Sequence, residues 1–76
     1  MKIDENTFYE LLKDKIRKLC KEKKLPIGGV EKHLDLSSGY FSRDNTKPSI
    51  YECLKLCKVL DVSFNELFTV NFSELV

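Results

Sequence analysis

The 76-residue sequence carries almost no net charge, with 13 Lys and Arg set against 12 Asp and Glu and a single His. No apolar run in it exceeds three residues, so nothing approaches the roughly 20 apolar residues that a bilayer-spanning helix requires. The opening MKIDENTFYE holds three acids and no apolar h-region, which is not the pattern of a signal peptide. Cysteine is scarce and odd in number: Cys20, Cys53 and Cys57 argue against a disulfide framework and for reduced thiols in a cytoplasmic protein. The length leaves room for one domain, 1–76, and little for an enzyme cleft with a supporting shell. A domain of this size buries only about 60% of its unfolded surface, so its core is thin. Composition therefore favours a binding module over a catalyst. No Ser/His/Asp or paired-carboxylate arrangement stands free of a structural role, no cofactor is called for, and no small-molecule effector is evident.

An apolar content of 42% fits a globular chain and argues against disorder. Charge is unevenly spread. Residues 1–12 sum to −2, residues 13–24 to +5, residues 25–58 to +1 and residues 59–76 to −3. The lysine-rich stretch is either a face for a polyanion or a solvated helix surface.

Four capping-box patterns punctuate the chain: Thr7-x-x-Glu10, Ser49-x-x-Glu52, Ser63-x-x-Glu66 and Asn71-x-x-Glu74. In each, a short polar side chain can accept from a free N–H of the first turn while Glu reaches back to the cap. They predict an all-α protein. The first helix is expected over 8–23, with Phe8, Leu11, Leu12, Ile16, Leu19 and Cys20 inward and the lysines outward, ended by Leu25-Pro26. The second spans 27–34, weakened by Gly28 and Gly29 and held by Val30 and Leu34. The third spans 38–44, capped by Ser37 and anchored by Phe41. The fourth spans 50–60, with Ile50, Cys53, Leu54, Cys57 and Leu60 on one face, and the fifth 64–68. The core is expected over 7–69. The tail, 70–76, still carries Val70, Phe72, Leu75 and Val76. They either form a homodimer interface or fold back over helix 1.

Cys20, His33, Cys53 and Cys57 nominally supply zinc ligands. However, Cys53 and Cys57 lie on the apolar stripe of the fourth helix and the other two in separate elements. Buried free thiols are the better reading, and no metal is expected. The stretch from Leu25 to Ser49 is the informative one. Two short helices joined by about three residues, with Val30, Leu34, Leu36 and Phe41 at inward spacings, form a helix-turn-helix pattern. In such a unit the first helix braces the second, which presents its outer face to a DNA major groove.

These residues resemble the phage-repressor/Cro, or XRE-type, helix-turn-helix family from about Leu11 to Phe68. The basic first helix LLKDKIRKLCKEKKL, the turn Leu34-Asp35-Leu36-Ser37, the stretch Ser38-Gly39-Tyr40-Phe41-Ser42-Arg43, the Lys47-Pro48-Ser49 entry to the next helix and the closing run Leu56 to Phe68 each resemble the family's pattern. The resemblance implies a compact five-helix bundle of the lambda-repressor-like type. It also implies sequence-specific binding of double-stranded DNA by a transcriptional repressor, usually a dimer. Pro26, Ile27, Glu31 and Asp35 depart from the pattern. Glu31 stands where the family usually has Ala, and Asp35 replaces the turn Gly, a position Asp tolerates because it visits the left-handed region more easily than most residues.

The resemblance points to Ser37, Ser38, Gly39, Tyr40, Ser42, Arg43, Asn45 and Lys47 as DNA-binding residues. Ser38 and Ser42 can reach base edges or phosphates, and Gly39 permits close backbone approach. Tyr40 either meets a thymine methyl or the sugar-phosphate chain, or packs partly into the core. Arg43 is a guanine reader, a phosphate clamp, or a surface partner of Asp44 or Glu31. Asn45, Thr46 and Lys47 form a phosphate-binding loop or a plain connection. Gly28 and Gly29 admit a phosphate or relieve helix crowding. The competing function is a protein-interaction module that keeps the fold without DNA binding, favoured by Glu31, Asp35, Asp44 and the near-zero charge.

Overall fold

Among the described residues the regular structure is four α-helices, α1 (Glu5–Glu22), α2 (Ile27–His33), α3 (Ile50–Leu60) and α4 (Phe64–Leu67), with single 3₁₀ turns at Tyr40–Ser42 and Phe72–Glu74. The computed structural model describes residues 2–76, the Phe72 side chain excepted, so the expectation for that side chain lies outside the described residues. An all-α architecture is what the capping patterns predict. The expected third helix, 38–44, is reduced to one 3₁₀ turn.

α1 starts three residues ahead of the expected Phe8. Asp4 is the cap: its carboxylate accepts from the Thr7 N–H at 2.8 Å, a bond that holds the Asp4 pKa below the ordinary carboxylate value. A carboxylate beside the positive helix end is a strong cap, so Thr7 lies within the first turn and its box with Glu10 does not form. The Ser49 and Ser63 boxes form as expected, each with both reciprocal bonds. Asn71 caps no α-helix but only the Phe72–Glu74 3₁₀ turn, its side chain accepting from the Ser73 N–H at 3.1 Å and the Ser73 hydroxyl at 2.9 Å.

α1, α2 and α3 all end the same way. Lys24, Asp35 and Asp61 adopt left-handed conformations at φ 57°, 58° and 55°. The next residue in each case returns its N–H to a carbonyl five positions back: Leu25 to Cys20 at 2.9 Å, Leu36 to Glu31 at 2.8 Å and Val62 to Cys57 at 3.0 Å. This is the Schellman termination, in which the apolar residue after the left-handed one folds back onto the helix. Leu25, Leu36 and Val62 are all partly buried against the core. Asp35 tolerates this conformation better than most residues.

The core gathers Leu12, Ile16, Leu19 and Cys20 of α1, Val30 and Leu34 around α2, Phe41, then Cys53, Leu56 and Leu60 of α3 and Leu67 of α4. An aromatic stack of Phe8, Phe64 and Phe68 closes one end. The inward face of α3 is rotated from the expected one. Cys53, Leu56 and Leu60 are buried, whereas Ile50 and Leu54 are 72% and 52% exposed, because the packed neighbours lie on the side of the helix that carries Cys53, Leu56 and Leu60. Leu11 is also turned to solvent, and Lys13 takes a core position in its place.

The tail pairs with the start of the chain. The Ile3 N–H donates to the Glu74 carbonyl at 2.7 Å, and the Val76 N–H donates to the Ile3 carbonyl at 2.9 Å. Ile3 and Leu75 thus form an isolated parallel bridge that buries Ile3. Thr69, Val70 and Asn71 run beside Leu11, Lys15 and Lys18 of α1. Leu75 and Val76 stay exposed. Among the described residues no helix is long and apolar enough to cross a membrane.

Candidate nucleic-acid interface

Residues 37–47 form a polar loop wrapped around one apolar anchor. Phe41 is 0% exposed, and it is the one fully buried side chain between Leu34 and Pro48. Gly39 sits at φ +77°, a left-handed conformation that L side chains reach only with strain. It starts the Tyr40–Ser42 turn, and its presence there is why a helix does not run from Ser38. The Tyr40 N–H donates to the Ser37 carbonyl at 3.1 Å and the Ser42 N–H to the Gly39 carbonyl at 3.0 Å.

The expected DNA-binding residues divide into two groups. Ser37, Ser38, Ser42, Arg43 and Asn45 are exposed on the outside of this loop. Arg43 is folded along it, one guanidinium nitrogen donating to the Ser38 carbonyl at 2.6 Å. It pairs with neither Asp44 nor Glu31. The second group is drawn elsewhere. Tyr40 is half-buried, edge-on to Phe41 with centroids 5.3 Å apart. Burial first, then the nearby Glu52 carboxylate, raises its hydroxyl pKa. Lys47 reaches back to α1, its ammonium 2.6 Å from Glu5 and 5.8 Å from the centre of the Tyr9 ring. The Gly39 N–H is engaged by Glu31 at 3.1 Å.

Three residues of the helices behind, Glu31, Lys13 and Arg17, organise this loop together with its own Thr46. Glu31 is 2% exposed, and its second oxygen accepts from the Phe41 N–H at 3.1 Å. Lys13 is 0% exposed. Its ammonium donates to the Arg43 carbonyl, to the Asp44 carbonyl at 3.2 Å and to the Thr46 hydroxyl at 3.3 Å, and pairs with Glu10 at 3.0 Å. Arg17 donates to the Phe41 carbonyl and pairs with Asp14. The Thr46 hydroxyl donates to the Tyr40 carbonyl at 2.6 Å. The expectation that the lysines of the first helix face outward thus fails for Lys13. A signal was present: Lys13 follows the core residue Leu12 at a three-residue step from Ile16, and Glu31 completes the apolar spacing Ile27, Val30, Leu34.

Gly28 and Gly29 are exposed. A Cβ added at Gly28 meets nothing within 4 Å and one at Gly29 meets only Pro26 at 3.9 Å, so they relieve no crowding between helices. His33 is exposed. Cys20, Cys53 and Cys57 are free. Burial pushes the Cys53 thiol up to about 11, with Cys57 next in effect. Among the described residues no group of three or more His, Cys, Asp or Glu is placed to hold a metal ion. No protein-family model, curated protein or solved structure matches this chain.

Proposed function

We propose that this protein is a sequence-specific duplex-DNA-binding regulator of the helix-turn-helix kind and not an enzyme, with α2 as the bracing helix and the 37–45 loop as the reading element. In this reading it is a lambda-repressor-like domain of the reducing cytoplasm whose recognition helix has shrunk to one turn. The observation that carries the reading is the two-sidedness of the loop. Phe41 is fully buried behind it, while Ser37, Ser38, Ser42, Arg43 and Asn45 are exposed in front. Serine, asparagine and arginine are residues that contact phosphates and base edges. The test is fluorescence anisotropy on a duplex selected by this protein from a random-sequence pool, repeated over a salt series. A DNA binder weakens steeply as salt rises, because counterions are released on binding. Selection that enriches no sequence would remove the reading.

The protein-interaction reading has its own support in α3, whose outer surface exposes Ile50, Tyr51 and Leu54. Exposed apolar clusters of this kind mark partner surfaces. In the DNA-binding reading a twofold mate completes the binder, since paired reading elements need one. We place that mate at the C-terminal tail, where Leu75 and Val76 remain exposed beyond the pairing with Ile3.

A further inference from the structure

We propose that Lys13 and Glu31 are positioning residues for DNA contact, holding the 39–46 segment in one shape before any duplex arrives. This rests on the DNA-binding reading above. The segment's own bonds are few: the 3₁₀ turn and the Thr46 hydroxyl on the Tyr40 carbonyl. A single 3₁₀ turn has poor hydrogen-bond geometry, and one isolated turn of helix is unfavourable because several residues are ordered for each bond gained. Further support comes from other elements. At its start, both oxygens of Glu31 are taken by the Gly39 and Phe41 N–H groups, each at 3.1 Å. At its end, the Lys13 ammonium gathers the Arg43 and Asp44 carbonyls and the Thr46 hydroxyl. An anion thus meets the free N–H groups and a cation the free carbonyls, the arrangement that the peptide dipoles favour.

Both charges are almost entirely out of water, at 0% and 2% exposure. A buried charge persists only when hydrogen bonds replace its hydration, and among the described residues no buried side-chain nitrogen or oxygen lacks a partner. The two residues come from α1 and α2, so the loop is registered on the two helices behind it. An interface ordered in advance loses less entropy on docking. Ser38, Ser42 and Arg43 are presented by backbone that these two side chains hold. Lys13 and Glu31 are sealed beneath that backbone and need touch no DNA.

The test uses the full chain and the variants Lys13→Met and Glu31→Gln, with Thr46→Val as a milder third because it removes one partner of Lys13 from a partly exposed position. Two readouts are taken together: affinity for the selected duplex and for an unrelated duplex, and amide exchange across the chain. The expected result is a loss of about tenfold or more on the selected duplex, the scale of a lost charged hydrogen bond, with little change on the unrelated one. Exchange at Gly39 and Phe41 should accelerate while that of Leu19, Leu56 and Leu60 holds. A merely structural role would speed all amides and weaken both duplexes together. That outcome overturns the proposal, as does unchanged exchange at Gly39 and Phe41, or accelerated exchange with full affinity. If the parent enriches no sequence and binds no duplex, the DNA reading fails and takes the positioning role with it. The exchange data then still report whether Lys13 and Glu31 hold the loop.

Discussion

Replacing Phe41 by Ala tests whether the 37–47 loop is anchored from within. Phe41 is 0% exposed and packs in the cluster that contains Leu12, Ile16, Val30 and Leu56. It also supports Tyr40 edge-on at 5.3 Å. Truncation of a fully buried Phe costs about 3–5 kcal/mol, since it removes buried apolar area and leaves a cavity. A domain of this length has a total stability on the order of 4–11 kcal/mol, so the variant sits at or near the edge of folding. With an unfolding entropy of about 2.1 cal/mol/K per residue, the melting temperature should fall by roughly 20–30 °C. Thermal and urea unfolding followed by circular dichroism measure this, with Phe41→Leu as the control expected to lose no more than about 1.5 kcal/mol. A fall of only a few degrees for Phe41→Ala would refute the reasoning: the loop would then not be seated in the core, and the separation into a buried back and an exposed front would be wrong.

Other expectations follow from the same structure. Gly28→Ala and Gly29→Ala should each raise stability by about 0.5–1 kcal/mol, since both are helical and the added Cβ meets open space; a lower urea midpoint for either would contradict this. Arg43→Ala should weaken duplex binding by about 1–3 kcal/mol with the helical signal intact, and unchanged anisotropy titrations would remove Arg43 from the interface. A chain stopped after Thr69 loses the backbone partners of Ile3 and exposes that side chain, at a cost of about 1.5–3 kcal/mol; sedimentation equilibrium on the same pair should find the full chain dimeric and the truncated one monomeric, and two monomers would dispose of the tail as an interface. The Cys53 thiol has a folded pKa raised from 9.0 to about 11, so its contribution is complete below pH 9 and declines as the pH rises from 9 to 11, where the unfolded chain ionises first. The urea midpoint should fall across that window and fall less in Cys53→Ala; parallel falls would assign the effect elsewhere.

Helix starts and stops were legible where a local rule was sufficient. Ser49 and Ser63 with Glu three residues on marked α3 and α4, and Leu25-Pro26 marked the end of α1. Asp4 and Thr7 both offer a cap to the same helix end, and only the competition between them separates the two. The inward face of α3 is not legible along the chain because Ile50 and Leu54 are as apolar as Leu56, and hydrophobicity does not say which side the neighbouring helices occupy.

The sequence by itself determined an all-α chain, the Ser49 and Ser63 caps and much of the apolar core, including Leu12, Ile16, Leu19, Cys20, Val30, Leu34, Phe41, Cys53 and Leu60, since capping and apolar spacing act over four or fewer residues. It also located the stretch 37–47 and its anchor Phe41. Tertiary structure decided the shape of that stretch. The left-handed Gly39, the burial of Lys13 and Glu31 and the withdrawal of Tyr40 and Lys47 toward Glu52 and Glu5 all depend on groups that are distant in the chain. A charged residue at a core spacing reads as an exception along the sequence. It becomes a structural element only when the fold brings unpaired backbone N–H groups and carbonyls within hydrogen-bonding reach of it.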